Sequence, residues 1–405
     1  MGQRLVNSEI DNRVDVRLDK SIKRVDDGVH GLMTFGQEND YPQVMEKLIG
    51  GSPTAKAASK TYSKFLTGAG FEKEEINDIV IGQDARGKEV TILSLLREVS
   101  GSIANNNGFY LYCAENIDDN GNPIVTSANL KSFKTVRFAK PDDEGYSAKL
   151  LVSEQWGERR FDKRKIKEFN IFNLNEKAFS AQVKAADEKN EKFKGQIYFQ
   201  FLDNQFFYPL SPFDPAYLDC DTEAQIALFK NRQLRNGFFD KVVFSIAPDG
   251  DESEKREYAD KVKSLMGADG DSCLILETDT EENGGIDQNA AIKIDTIKSN
   301  VNDKLFDNWE NGLSNNIRKS ANNVPKLLMD IEDGIFSGQS GESIKQATNF
   351  FNAMTKDDRA LISRSFEEVF KHFDNDKLKN NTNWEIKPLT LIEDGIIDDR
   401  TATIN

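Results

Sequence analysis

The chain has 405 residues, of which 38% are hydrophobic and 27 are phenylalanine, so it carries enough apolar material for folded cores and is not disordered throughout. Its formal net charge is −15, which disfavours a free-standing nucleic-acid binder, because such proteins attract phosphates with a basic surface. The three cysteines, Cys113, Cys220 and Cys273, are far apart and match no metal-binding spacing. We find neither a secretory signal nor an apolar run of membrane-spanning length, and we expect a reduced protein of about two or three domains.

The N-terminal part is predicted to be helical after a polar arm. Residues 1–39 are polar and irregular, which is typical of a weakly anchored arm. Residues 40–205 begin with two helices: Pro42 suits the first turn of one, and Ser52 is placed to cap the next. A third helix is predicted at about 91–105 from its apolar spacing.

The rest of residues 40–205 is predicted to form an antiparallel β region. Short alternating or apolar runs follow one another, and turn formers such as DDNGNP and PDDEG separate them. The runs are GFYLYCAE, TVRFAK, AKLLVSE, EFNIFNL and QIYFQFL.

One long helix is predicted within residues 206–239, over 213–236. Asp214 is a candidate cap, and Pro215 suits the first turn. Three cations gather in the last turns, where they complement the helix dipole, and an Asn-Gly pair provides the exit. These residues are Lys230, Arg232, Arg235, Asn236 and Gly237.

Residues 240–295 are predicted to form a small α/β insert. The runs KVVFSI and SCLILE indicate strands, and DESEKREYADKVKSLMG between them indicates an amphipathic helix. The predicted order is therefore β-α-β.

A second long helix is predicted over residues 296–320, with apolar side chains at four-residue steps. Each step overshoots a full turn by roughly 40°, so the apolar line winds around the helix and can contact neighbours on successive sides. Two interpretations stay open here, packing against other subunits or an oblique helix crossing inside one subunit. The line consists of Ile297, Val301, Leu305, Trp309, Leu313 and Ile317.

Residues 321–395 are predicted to combine a glycine-rich connection with two helices and a late strand, before a polar tail at 396–405. Thr355 and Asp358 resemble a capping box at the start of the second helix, and NWEIKPLTLIE indicates the strand. The first helix is predicted to bury a face formed by Ile344, Ala347, Phe351 and Met354.

Catalytic residue patterns are not found, and we expect neither enzyme activity nor a cofactor or metal. The two histidines, His30 and His372, lie in no recognisable catalytic or zinc-binding motif. The run GIFSGQSGES lacks the Gly-Lys-Ser/Thr of a phosphate loop, and the acidic clusters lack the order of an EF-hand loop. Hydrolysis by a carboxylate pair stays an alternative, because 68 Asp and Glu residues always contain pairs.

The order of these elements resembles the portal proteins of long-tailed bacteriophages. The resemblance covers roughly residues 40–395. It begins with the helical NDYPQVMEKLIGGSPTAKAASKTYSKFLTGAGF and the β region closed by YPLSPFDPA, which is similar to the family's Tyr-Gly-x-Ser-Pro helix entry. It continues with LFKNRQLRNGFF and its Asn-Gly exit, the α/β insert, the helix through Trp309, NNVPKLL and the terminal helices. Pro209 departs from the pattern, because a glycine is common there, and the tail after Pro388 is too short for a large crown.

The resemblance implies an α+β portal fold with a wing of helices and antiparallel β-structure, a two-helix stem and a small α/β clip. The wing would comprise residues 40–205 with the helices of 321–395, and the stem would pair 213–236 with 296–320. The clip would be 240–295. The winding apolar line would then pack subunits against each other in a ring.

The implied role is a ring, usually of twelve subunits, at one capsid vertex of the virion, assembled in the host cytoplasm. Implied partners are the major capsid protein, the terminase large subunit, adaptor or head-completion proteins, and double-stranded DNA passing through without sequence preference. Residues 318–340 are the candidate DNA-facing tunnel segment, with Arg318, Lys319 and Lys326 as its cations. Weak DNA contact suits an acidic conduit, but the same cations can simply complement a helix dipole.

Three other functions stay open from the sequence. The first is a head or connector protein without a channel, and the second is the carboxylate-pair hydrolase. The third is a monomeric binding module in which the winding apolar line is internal.

Overall fold

The computed structural model of the protein describes residues 26–27, 31–36, 38–118, 122–158, 162–188, 192–203, 207–235, 241–246, 273–277, 292–297, 303–329 and 340–390. It contains both helices and strands, and the predicted α+β class is confirmed. The chain divides into two compact units. The first consists of residues 1–50, 54–215 and 318–405, and the second of residues 51–53 and 216–317.

Three helices precede the large sheet, as the sequence predicts. They are α1 Tyr41–Gly51, α2 Pro53–Thr67 and α3 Ile92–Asn106. Helix α3 begins where Thr91 and Ser94 form a reciprocal capping box, and it ends at Asn107 with φ of 55°, a left-handed conformation that asparagine tolerates. Two small hairpins accompany these helices, β1 Asp26–Asp27 with β2 Leu32–Met33, and β3 Val80–Gln83 with β4 Glu89–Thr91.

A six-stranded sheet of the first unit has the order β6-β5-β10-β9-β8-β7. The predicted antiparallel pairing is wrong at one place, because β9 and β10 are parallel. Helix α4, which the sequence analysis did not predict, joins these two strands, and a parallel pair requires such a crossover. The elements are β5 Gly108–Ile117, β6 Pro123–Lys131, β7 Val136–Phe138, β8 Lys149–Val152, β9 Lys167–Ile171, α4 Glu176–Glu188 and β10 Gln196–Phe201.

Aromatic side chains form the core against this sheet. Tyr110 is fully buried, with its ring centroid 4.7 Å from that of Phe133 and 5.6 Å from that of Phe201. Arg137 is also fully buried, and its guanidinium donates to the carbonyls of Phe133, Val136 and Asn39 at 2.9, 2.7 and 2.8 Å. These bonds compensate the guanidinium for lost water.

Three helices close the first unit, α7 Ser340–Met354, α8 Lys356–Phe370 and α9 Asp376–Lys379. Helix α8 buries Ile362, Phe366, Val369 and Phe370, and Phe366 contacts Phe71 and Trp384 at ring-centroid distances of 5.2 and 6.2 Å. Helix α8 therefore packs against the turn that follows α2, and the N-terminal and C-terminal helices share one core.

Three predictions about this C-terminal region are wrong. Met354 is 52% exposed and does not line the core. Thr355 makes no side-chain cap; its hydroxyl bonds Phe351 and Arg359 instead, while Asp358 accepts from Tyr62. The late strand is a single bridge between Phe71 and Ile386, because only a few backbone bonds align there.

The second unit contains a helix, a three-stranded sheet and a second helix. Helix α5 is Tyr217–Arg235, preceded by a 3-10 turn at Asp214–Ala216. The sheet has the order β12-β11-β13, with β11 Lys241–Ile246 parallel to β12 Cys273–Glu277 and antiparallel to β13 Ile292–Ile297. Helix α6 is Asp303–Ser320.

The two predicted strands of the insert are confirmed, and β13 is an addition that the sequence analysis missed. The predicted helix over 251–267 and the Asn236-Gly237 exit lie outside the described residues. The helix predicted over 296–320 is too long at its start, since Ile297 is the last residue of β13. Its β-branched neighbours Ile292, Ile294 and Thr296 favour the strand.

Candidate functional site: the paired helices and the turn that follows them

Helices α5 and α6 pair in antiparallel orientation within the second unit. Lys230 Nζ lies 2.6 Å from Glu310 Oε1, and Asn316 Nδ2 lies 3.3 Å from Asp219 Oδ1. The early part of α5 therefore faces the late part of α6, and the late part of α5 faces the middle of α6. The Lys230–Glu310 pair is half exposed, so it orients the helices more than it stabilises them.

The start of α5 is fixed by polar contacts from residues 51–53, which belong to the same unit. The Ser52 hydroxyl donates to the Glu223 carboxylate, and the Cα of Gly51 faces the Ala224 side chain. Cys220 is buried, and burial raises the pKa of its thiol to about 12. Such a thiol is inert at neutral pH, so Cys220 is a packing residue and not a nucleophile.

The six residues of the predicted apolar line have different environments. Ile297 ends strand β13, Val301 lies outside the described residues, and Leu305 is in α6 with no side-chain position described. Trp309 is 51% exposed, Leu313 is half-buried and Ile317 is fully buried. The line therefore runs from exposed to buried along α6, and its role in subunit packing stays a prediction.

Helix α5 adds exposed apolar side chains that the sequence analysis did not single out. Leu218 is 39% and Leu228 is 44% exposed. Together with Trp309, they are three exposed apolar side chains on the helix pair of a chain that is strongly acidic overall. The four-residue period indicated apolar packing residues on α6 alone, because α5 has no comparable apolar repeat.

The turn after α6 is built from two consecutive asparagines. Asn322 and Asn323 both have φ of 54°, a left-handed conformation that asparagine tolerates better than most residues. The Val324 N–H donates to the Arg318 carbonyl at 3.2 Å, and the Arg318 Nη1 donates back to the Val324 carbonyl at 2.9 Å. The two residues thus close the turn reciprocally.

The three predicted DNA-facing cations are not equivalent. Arg318 is half-buried and holds the turn through Val324, so part of its role is structural. Lys319 and Lys326 are exposed, Lys319 in the last turn of α6 and Lys326 in the 3-10 turn Lys326–Leu328. Residues 330–339, most of the rest of the predicted tunnel segment, lie outside the described residues.

The same turn is connected to the C-terminal helices. The Tyr62 hydroxyl donates to Asp358 Oδ2 at 2.7 Å, and the Asn322 side chain acts on the same hydroxyl by lowering its pKa in part. Burial raises the pKa of Tyr62 well above its usual value, and it also raises the pKa of Asp358. A change at this turn would therefore affect α8 through the buried Tyr62.

Outside this region the most perturbed carboxyl is Glu115 in β5. A register shift between Ala114 and Glu115 interrupts the pairing with β6 at this residue. Neither carboxylate oxygen is exposed, and no described residue gives it a well-formed hydrogen bond. Burial raises its pKa to about 8, and the nearby backbone N–H groups of Gln196 and Glu115 offset only part of this.

Glu115 has no histidine, cysteine cluster or second carboxylate arranged with it for catalysis among the residues that the structure describes. Burial lowers the pKa of His372, whose carbonyl binds the Val125 N–H, which is a structural setting. Over the same residues, no group of three or more His, Cys, Asp or Glu side chains could hold a metal ion. A search of the described helices finds none that is long and apolar enough to cross a membrane.

No protein-family model and no curated protein matches the chain. It is similar to chains of solved particles. One is from the virion of a native gene transfer agent particle, with 12% identity, a TM-score of 0.46 and coverage of 89% of this chain and 85% of that one. Another is from the neck of the native particle computed with C12 symmetry, with 12% identity, a TM-score of 0.46 and coverage of 90% and 86%.

A third similar chain is that of an HK97-family phage portal protein from Corynebacterium diphtheriae. Its identity is 10%, its TM-score is 0.37, and the match covers 80% of this chain and 89% of that one. The family that the sequence resembles thus occurs among the structural neighbours.

Proposed function

We propose that this protein is a phage portal protein, a head–tail connector that forms a ring at one capsid vertex of the virion. The observation that carries the proposal is the second unit. In chain order this unit consists of helix α5, a three-stranded sheet and helix α6, and the two helices are antiparallel. This is the order of stem, clip and stem that the sequence resemblance implies.

The exposed apolar side chains of the helix pair support an assembly role. Leu218, Leu228 and Trp309 are 39%, 44% and 51% exposed. A helix pair that works as an isolated monomer has no reason to place a large aromatic residue in water, whereas tryptophan is favoured at the centre of interfaces. In the proposed ring, α6 of one subunit packs against the helix pair of the next.

The ring would serve as a conduit for double-stranded DNA, with two solvent-exposed cations, Lys319 in the last turn of α6 and Lys326 after it. The terminase large subunit and later the adaptor proteins would dock on the sheet of β11, β12 and β13, and the major capsid protein would surround the ring. A net charge of −15 suits transient, non-specific DNA contact, since tight phosphate binding would arrest translocation. The role is structural, and no catalytic step is assigned.

Electron-microscopy class averages of the purified protein test this function. We expect rings with a central opening. Trp309→Asp should abolish the rings while leaving the circular dichroism spectrum unchanged, because a carboxylate would be buried between subunits. Tyr146→Asp is the matched control, since Tyr146 is 74% exposed in a turn of the first unit.

Two results would contradict the proposal. A monomer or dimer at every salt and protein concentration would rule out a ring, and closed assemblies without an opening would favour a connector without a channel. If rings persist in Trp309→Asp, the ring stands but the assignment of α6 to the interface is wrong.

A further inference from the structure

One side of helix α7 is apolar but is left exposed by the described residues. Phe351 is fully buried in the core, whereas Phe350 is 50% and Met354 52% exposed. At 3.6 residues per turn, Phe350 and Met354 lie about 40° apart on the helix, and Phe351 lies about 100° and 60° from them. Ala347 and Ala353 extend the exposed side. The apolar stripe of α7 is therefore wider than the part that the described core buries, and its exposed part is available to a second partner.

The described part of the chain ends beside this helix. Asn352 Nδ2 donates to the Leu389 carbonyl at 2.7 Å, which fixes the chain to α7. Just before it, Lys387 exchanges backbone hydrogen bonds with Ala69 and Gly70. Residues 391–405 follow from this fixed point, so their first part starts within a few ångströms of α7.

The sequence of that segment, LIEDGIIDDRTATIN, has two apolar pairs, Leu391-Ile392 and Ile396-Ile397. By the outer side of α7, Asn352 lies about 160° around the helix from Phe350 and about 200° from Met354, so the segment has to cross that side to reach them. That path is roughly 20 Å for a helix about 10–12 Å wide. Seven residues from Leu389 to Ile396 span about 23 Å when extended, which is enough, whereas Leu391-Ile392 is too close to the fixed point.

The outer side of α7 permits such a crossing. Asn349 and Ala353, which point away from Phe351, are both exposed and are small or uncharged. We propose that the C-terminal segment crosses α7 here and places Ile396 and Ile397 on the face formed by Ala347, Phe350, Ala353 and Met354. Because the segment is tethered at Leu389, its effective concentration at this face far exceeds that of another chain in dilute solution.

Hydrogen–deuterium exchange of the full-length protein tests the proposal. In dilute wild-type protein, amides of 392–397 should exchange about tenfold more slowly than the unprotected rate, in the range expected for a local opening. Phe350→Ser with Met354→Ser should return them to the unprotected rate. Tyr146→Ser, which changes an exposed aromatic side chain in a turn, should leave the protection unchanged. The reciprocal variant, Ile396→Asp with Ile397→Asp, keeps α7 intact and should abolish the protection too.

Three outcomes would overturn the proposal. The wild-type segment could exchange at the unprotected rate, or its protection could persist in both double variants. Protection that appears only as the protein concentration rises would show that another copy covers the face instead. None of these outcomes bears on ring formation, which is scored separately by electron microscopy.

Discussion

Glu115→Gln tests whether the buried carboxyl beside the β5 bulge makes the protein less stable at high pH. Both carboxylate oxygens are buried without a well-formed bond from a described residue, and burial raises the pKa to about 8 from 4.5. The substitution keeps the shape of the side chain and removes its titration. The matched control is Glu89→Gln, because Glu89 is an exposed strand residue of the same unit.

The expected magnitude follows from proton linkage. Because the pKa is higher in the folded than in the unfolded protein, the carboxyl contributes its full stability below pH 4.5 and loses it as the pH rises towards 8. A shift from 4.5 to about 8 corresponds to about 5 kcal/mol in the free energy of unfolding, at about 1.4 kcal/mol per pKa unit. The loss is complete above pH 8, where folded and unfolded forms are both ionised.

Urea unfolding at low protein concentration, followed by far-UV circular dichroism at pH 5, 7 and 9, measures this effect. The difference between Glu115→Gln and wild type should be small at pH 5 and should reach several kcal/mol in favour of the variant at pH 9. Glu89→Gln should follow wild type at every pH. If the stability difference between Glu115→Gln and wild type is the same at pH 5 and pH 9, the carboxyl is solvated and the reasoning from burial is wrong.

Three further substitutions test the first unit by urea unfolding. Tyr41→Phe removes a buried hydroxyl that donates to Asp214 at 2.8 Å and accepts from the Ser211 N–H at 3.0 Å; it should cost about 2–3 kcal/mol, and a loss below 0.5 kcal/mol would show that water replaces it. Thr91→Ala should lower the free energy of unfolding by about 1 kcal/mol, because it removes the side-chain cap of α3. Thr91→Ser should retain most of that stability, and equal losses in the two variants would contradict the cap. Phe366→Ala should cost about 3–5 kcal/mol, because it opens a cavity beside Phe71 and Trp384, and Phe366→Leu should cost clearly less.

Local patterns in the sequence predicted helices α1, α2, α3, α5, α7 and α8 and strands β5 and β7 to β12, but they missed α4, β6 and β13. The apolar spacing of α3 and α8 reports which side of each helix faces a core, and the structure buries those sides, whereas β5 and β10 are apolar runs with consecutive residues buried. The same patterns cannot report which strands are neighbours. The parallel pairing of β9 with β10 depends on α4, whose many polar residues gave a weak signal in a region of strands.

The burial of polar residues could not be predicted from the sequence for a related reason. Arg137 is fully buried because the distant Asn39 carbonyl and the rings of Phe35 and Trp156 surround it, and none of these distant contacts is visible from its sequence neighbours. Glu115 is buried because a bulge redirects it. At the candidate site, the period of four marked Trp309 and Ile317 as special but could not tell that one is exposed and the other buried.

The second unit also bears on the order in which the protein folds. Its consecutive part, residues 216–317, interrupts the first unit, so the first unit cannot complete its core until a loop of roughly 100 residues is closed, at an entropic cost of about 4 kcal/mol for a flexible chain. The antiparallel pair brings Asp219 and Asn316 within 3.3 Å of each other. If the insert folds early, it brings the two parts of the first unit next to each other, and the flexible loop that remains to be closed becomes shorter. Mutations that loosen α5 against α6 would then slow folding of residues that they never touch.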